Sequence, residues 1–202
     1  MITLIDYGLG NILAFQNVYK RLNIEVRLAR TAADLEGATR LILPGVGAFD
    51  HAMELLERSG MRGRLDELVL ERKMPVLGIC VGMQILARSS EEGKLPGLGW
   101  IDGRVRHFSA LGAHSLLIPH MGWNDVQPVN ETLFDQLMTE ARFYFLHSYY
   151  FECARPEDAA ATSTYGTDFC SAVHSGNIYG VQFHPEKSHH FGTQLLRNFA
   201  GL

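Results

Sequence analysis

The sharpest chemical signal in the chain is Gly78-Ile79-Cys80-Val81-Gly82. The apolar run Val76–Ile79 leads into it, and the helical stretch Met83–Ala87 follows. That context fits a nucleophile elbow, in which a sharp strand-to-helix turn exposes the thiol and small neighbours relieve crowding. The N-terminus of the following helix favours thiolate over thiol, because free N–H groups and the helix dipole stabilise negative charge. A buried cysteine between two packing glycines is an equally good reading of these five residues alone. A second signal is Gln182-Phe183-His184-Pro185-Glu186. His184 and Glu186 lie one residue apart at the end of a predicted strand, where alternation puts both on one face. A carboxylate beside an imidazole fixes its tautomer and stabilises the imidazolium, the third role in a nucleophile–base–orienter set. Taken alone, a solvated His and Glu is the plainer reading. With an elbow cysteine in the same chain, the triad is the better one. The third signal is Pro44-Gly45-Val46-Gly47, after another predicted strand. Ligands of open parallel sheets bind beyond the carboxyl ends of the strands, and a glycine-rich turn there can offer N–H groups to an oxyanion. A plain strand-to-helix turn would also account for it.

Other residue types carry less. The nine histidines include no H-E-x-x-H pattern, and no C-x-x-C accompanies them, so no metal site is expected. His189-His190 reads as a solvated pair near a helix start, and His51, His107 and His114 receive no role. Gly45-x-Gly47 lacks the third glycine of a dinucleotide fingerprint, and no Gly-Lys-Ser/Thr loop exists. Cys153 and Cys170 have no elbow or partner motif and read as structural thiols.

The elements that must position these residues follow from periodicity. Strands are predicted over Ile2–Ile5, Glu25–Ala29, Arg40–Leu43 (ended by Pro44-Gly45) and Val76–Ile79. Helical spacing covers Gly10–Leu22 and Phe49–Lys73, broken near Gly60. This alternation argues for a mostly parallel sheet with helices on both faces. After about residue 98 the segments become short and β-rich: Trp100–Phe108, Asp125–Val129, Arg142–Leu146 and Ala159–Thr164. A helix is expected over Glu131–Met138, capped by Asn130. Ser171–His174 and Ile178–Phe183 flank Ser175-Gly176-Asn177 as a hairpin, and Thr193–Ala200 closes the chain as a helix. The expected fold is α/β, a mostly parallel mixed sheet with added antiparallel strands in the second half.

Composition bounds the function. The 202 residues are 47% hydrophobic and 20% charged, enough for a sizeable core in a single domain over residues 1–202. A net charge of −4 leaves no basic surplus for a phosphate backbone, so nucleic acid is not an expected partner. The apolar runs are too short to span a bilayer, and the N-terminus lacks the pattern of a signal peptide. Three cysteines without paired spacing fit a cytoplasmic protein with reduced thiols.

With these residues in view, the sequence resembles the class I (triad) glutamine amidotransferases over nearly its whole length. Gly78 to Gln84 and Gln182 to Ser188 carry the class. Asp6-Tyr7-Gly8-Leu9-Gly10-Asn11, Pro44 to Phe49, Pro119-His120-Met121-Gly122-Trp123-Asn124 and Leu146-His147-Ser148-Tyr149-Tyr150 are similar to the glutaminase subunits of imidazole glycerol phosphate synthases, in histidine biosynthesis. Val81 departs from a family that more often has Leu there, and its backbone N–H is retained. The resemblance implies a thiolate at Cys80 attacking the side-chain amide of L-glutamine, His184 as acid and base, and Glu186 orienting it. It implies an oxyanion hole from Val81 and the Val46–Gly47 region. Gln84, His147, Ser148 and Tyr149 would hold the substrate. It further implies a heterodimer with a barrel-shaped cyclase subunit that consumes the ammonia, with Asn11, Met121, Trp123 and Lys187 at the interface, and no metal or organic cofactor. Rival readings are an amidotransferase subunit of another synthase, an elbow-cysteine stress-binding protein or deglycase, and an inactive regulatory subunit. The Asp6–Asn11 and Pro119–Asn124 motifs speak against the first. The His-Pro-Glu segment speaks against the second, and the complete triad against the third.

Overall fold

The computed structural model describes residues 1–111, 116–129, 132–137 and 139–202. Strand β1 (Ile2–Ile5) pairs in parallel with β2 (Val26–Ala29) and with β3 (Leu41–Gly45). Next to β3 lies β4 (Val76–Cys80), and next to β4 lies β13 (Ile178–Val181), both in parallel. Every residue of β1, β3, β4 and β13 is buried. Strands buried on both faces must be covered on both, as parallel sheets require. The helices are α1 (Ile12–Arg21), α2 (Phe49–Arg58), α3 (Arg62–Asp66), α4 (Val81–Gln84) and α5 (His189–Gly201). Of these, α1 packs with α5, and α2 with α4.

Beyond β13 the sheet turns antiparallel. It continues through β12 (Thr167–Ser175), β10 (Tyr149–Cys153) and β6 (Gly103–His107) to the short β5 (Ser89–Ser90), which runs parallel to β6. On its other side β12 carries β11 (Ala159–Tyr165), which pairs with the two-residue β8 (Gln127–Pro128). A separate two-stranded sheet joins β7 (His120–Asp125) to β9 (Arg142–His147). The β12–β13 hairpin closes on Gly176 with φ +61°, the left-handed conformation such a tight turn needs.

The expected α/β architecture is present, with local corrections. β3 runs through Pro44-Gly45 instead of ending before it. Pro44 costs nothing there because the pairing of β3 with β1 stops at Ile42, while pairing with β4 continues to Gly45. The expected helix Met83–Ala87 starts earlier, at Val81, and is already over at Gln84. The carbonyls of Ile85, Leu86 and Ala87 accept instead from the N–H groups of Leu98, Ile101 and Gly99, so they do not continue a helix. The stretch Phe49–Lys73 breaks near Gly60, as expected, and ends in a wider helical turn over Glu67–Glu71. α5 begins four residues before the expected Thr193. Asp125–Val129 is not one strand: Asp125 ends β7, while Gln127–Pro128 pairs with β11, to which Val129 N–H also donates at the Ala160 carbonyl. Residues 132–137 form successive turns and no regular helix, and Asn130, Glu131, Met138 and His114 lie outside the described residues.

Candidate active site

Cys80 is the last residue of β4 and carries φ 56°, ψ −115°. A side chain held in that region costs about 1–3 kcal/mol and persists only where packing over-determines it. Here three glycines do so. A Cβ on Gly78 would meet the Gly82 carbonyl oxygen at 2.5 Å. One on Gly82 would meet the Leu43 carbonyl oxygen at 1.9 Å, and one on Gly45 the Gly82 nitrogen at 2.5 Å. Without side chains at these positions, β3, β4 and the start of α4 close around the turn. The register pairs Gly45 with Cys80, so the Pro44–Gly47 segment leaves the sheet beside the thiol.

The neighbouring strand β13 delivers His184 from the other side. Its ring Nδ1 lies 2.9 Å from Glu186 Oε1, and the two side chains are 4% and 3% exposed. The expected strand alternation does not produce this pair. The strand ends at Val181, and a 3₁₀ turn over Pro185–Lys187 folds Glu186 back onto His184. Proline at the turn's first position has no N–H to lose, which favours the turn over a longer strand. Buried Ser188 clamps this turn to β9: its hydroxyl donates to the His184 carbonyl at 2.6 Å and accepts from Tyr144 N–H at 3.0 Å. Burial disfavours charge on His184, but Cys80 and then Glu186 outweigh it and raise its pKa from 6.5 to about 10. The arrangement therefore holds a proton on the imidazole beside Cys80 at neutral pH.

A cleft of about 290 Å³ opens here. Cys80, Val81 and His184 line it, with Val46 and Gly47 on the loop side. Gln84, His147, Ser148 and Tyr149 form another part of its wall, and Lys187 reaches its rim. Gln84 Nε2 donates to the Tyr149 carbonyl at 3.3 Å and to Gln182 Oε1 at 3.0 Å. Glu186 stands behind His184, outside the cleft. Asn11, Met121 and Trp123 also lie outside it. Asn11 caps α1, its Oδ1 accepting from Ala14 N–H at 3.3 Å. Met121 and Trp123 are exposed on β7; Trp123 stacks on His189 with centroids 5.3 Å apart, and Lys187 sits 5.8 Å above the Tyr144 ring.

Two residues were not foreseen. Glu92 lines the cleft, and its Oε2 accepts from Phe49 N–H at 2.8 Å, anchoring the start of α2 directly after the glycine-rich loop. Its contact spans 43 positions, so no local pattern marks it. Tyr7 has a buried hydroxyl without a hydrogen-bond partner among the described residues; burial, and then the charge of Cys80, push its pKa up. Cys153 and Cys170, read as structural thiols, lie with sulfurs 3.8 Å apart across β10 and β12.

Residues 3–201 match the model of the class-I glutamine amidotransferase family, and the chain belongs to that family of glutamine-hydrolysing enzymes. It is 62% identical to an imidazole glycerol phosphate synthase subunit HisH from Bdellovibrio bacteriovorus, over all of both chains. It is 53% identical, again over all of both chains, to the subunit of the same name from Leptospira borgpetersenii. A solved glutamine amidotransferase with 22% identity shares the fold, with a TM-score of 0.76 over 100% of this chain and 99% of its own. No helix among the described residues is long and apolar enough to cross a membrane.

Proposed function

We propose that this chain is the glutaminase subunit of a cytoplasmic imidazole glycerol phosphate synthase, acting as one domain over residues 1–202. The observation that carries the reading is an elbow cysteine and a histidine, held from behind by Glu186, on one cleft, in a chain aligned end to end with relatives of that name. The thiolate of Cys80 attacks the side-chain carbonyl carbon of L-glutamine. The oxyanion accepts from backbone N–H groups of Val81 and of the Val46–Gly47 segment. His184, held by Glu186, gives its proton to the leaving nitrogen, and ammonia departs from a glutamyl thioester. His184 then takes a proton from water, hydroxide adds to the thioester, and collapse returns glutamate and the thiolate. Gln84, His147, Ser148 and Tyr149 hold the amino-acid end of the substrate. The reading needs no metal or organic cofactor.

Ammonia passes to a cyclase subunit, which forms imidazole glycerol phosphate and an aminoimidazole carboxamide ribotide. Asn11, Met121, Trp123 and Lys187 contribute to that interface. The deciding experiment measures glutamate and imidazole glycerol phosphate formation by the chain mixed with a cyclase subunit. Cys80→Ala should abolish glutamine-dependent synthesis and leave ammonia-dependent synthesis intact. Glutamine hydrolysis near the wild-type rate in Cys80→Ala would remove Cys80 from the mechanism. Glutamate formation without any coupling to the cyclase would assign the chain to another synthase.

A further inference from the structure

In the wall of the cleft His147 touches a second buried histidine, His120, which lies behind it. His120 Nδ1 lies 2.9 Å from His147 Nε2. At one end of the pair, His147 Nδ1 lies 2.7 Å from the Tyr149 carbonyl oxygen. At the other, His120 Nε2 lies 3.2 Å from Asn124 Nδ2, which also donates to the Thr164 carbonyl at 2.9 Å. We propose that His120 is a positioning residue for glutamine: with His147 it forms a tautomer-locked pair that fixes, through the Tyr149 carbonyl, how the Gln84 amide faces the substrate. This rests on the glutaminase reading of the cleft.

The direction of the chain is set independently from both ends. A carbonyl only accepts, so His147 must carry its proton on Nδ1, and in the neutral ring Nε2 must accept. His120 must then donate from Nδ1 and accept at Nε2. Asn124 supplies that donor, because its nitrogen is identified by the Thr164 carbonyl it also meets. One arrangement of protons satisfies all four contacts, and a further proton on either ring would set N–H against N–H. The surroundings keep such a proton out. His120 is stacked between Phe145, at 4.8 Å, and Tyr165, at 4.2 Å. Phe108 and Phe169 flank both imidazoles. Burial lowers the pKa of His120 to about 4 and that of His147 to about 3; His120 and His184 act on His147 in the same direction, against its bond to Tyr149.

The other end of the chain enters the cleft. The Tyr149 carbonyl receives His147 Nδ1–H and Gln84 Nε2–H, which uses both of its lone pairs. Gln84 spends its second N–H on Gln182 Oε1, and Gln182 Nε2 lies 3.8 Å from Cys80 Sγ. With both hydrogens committed, Gln84 offers its oxygen, an acceptor, to a ligand donor such as the substrate ammonium. His120 does not line the cleft, so its influence on substrate runs through His147.

The test uses the complex with the cyclase subunit and measures glutamate formation. His120→Phe keeps a stacked ring and removes both hydrogen bonds. It should raise KM for glutamine about tenfold while the maximal rate falls less, the loss of roughly one well-placed hydrogen bond to a charged group. His120→Asn, which can still donate toward His147, should recover most of the affinity. In a Gln84→Ala background, His120→Phe should change KM less than about twofold, because the residue it acts through is gone. A role in folding alone would lower activity equally in both backgrounds, or leave KM unchanged, and either result overturns the proposal. Nitrogen-15 NMR of the wild-type imidazoles tests the pair without any variant. Both rings should be neutral and protonated at Nδ1 from pH 5 to 8, and an Nε2–H tautomer or an imidazolium in either would also overturn it. A wild-type complex that makes no glutamate would instead refute the glutaminase reading.

Discussion

His184 stands between opposing influences, and their balance can be measured at that one residue. Burial alone would keep its ring neutral, while Cys80 and Glu186 raise its pKa to about 10. Its NMR titration should therefore have a midpoint far above 6.5. Removing either raising partner leaves burial less opposed, so the midpoint should fall in Cys80→Ala and, separately, in Glu186→Gln. A midpoint unmoved in both variants would mean that neither group sets the charge. In turnover, Glu186→Gln should lie between wild type and Cys80→Ala, since nucleophile and base remain and only orientation and charge are disturbed. Much of this was legible in the sequence, because Cys80 between its glycines and His184 beside Glu186 carry their chemistry in adjacent positions. The geometry that joins His184 to Glu186 was not, since a turn at Pro185 replaces the expected strand alternation. Glu92, Tyr7 and the His120–His147 pair were hidden for one reason: each gains its meaning from a residue far away in sequence.

Among the elements, the elbow shows how much packing a short helix can demand. α4 is only four residues long, and its start is wedged against β3. A methyl group on Gly82 would fall 1.9 Å from the Leu43 carbonyl oxygen, and that backbone is held by the β3–β4 ladder. Gly82→Ala should therefore cost at least about 3 kcal/mol of unfolding free energy, at the upper end of overpacking. Gly47→Ala makes an informative contrast. No atom lies within 4 Å of its would-be Cβ, yet its φ is +92°. Its cost is conformational, about 1–2 kcal/mol, and should show as altered glutamine turnover more than as lost stability. Urea unfolding of both variants checks the ranking; equal midpoints would remove the packing argument. The same contrast explains which elements the sequence revealed. Among the strands of the parallel half, β1, β3 and β4, mostly apolar and followed by helical spacing, were visible as strands, and β2 was visible despite Arg27. β7 was missed because Gly122, Asn124 and Asp125 are poor strand formers, although Met121 and Trp123 alternate with them, and β10 because only Ser148 separates it from β9. α4 was misplaced because distant N–H donors, and no local signal, end it.

On the scale of the whole molecule, the parallel half supplies the nucleophile and the glycine-rich loop, and the antiparallel half supplies much of the cleft wall. His184 is seated between them, its N–H bonded to the Tyr144 carbonyl on β9. Lys187 shares that position: it lines the cleft and lies over Tyr144, whose ring is met edge-on by Trp123 at 6.5 Å. Of the residues proposed to meet the cyclase, Lys187 thus lies in the turn that holds His184 and Glu186, and Trp123 touches Tyr144 and His189 beside it. A partner pressing on Trp123 and Lys187 can act on the site through a few packed side chains. Val46 is half-exposed beside Gly47, so the loop that would hold the oxyanion is little constrained by packing. One misdirected N–H there costs about 10²–10³ in rate, or roughly 3–4 kcal/mol. The lone chain should therefore hydrolyse glutamine very slowly, and the complex with cyclase and its nucleotide ligand much faster. Lys187→Ala should narrow that ratio by weakening association or coupling, with the unfolding midpoint unchanged. Val46→Gly should narrow it from the other side, raising the basal rate by freeing a peptide that the β-branched side chain restricts. Glutamate formation by the free chain, the complex and the liganded complex, for wild type and both variants, separates these routes. Full activity in the lone wild-type chain would sink the gating idea, and an unchanged ratio in Val46→Gly would place the brake outside this loop.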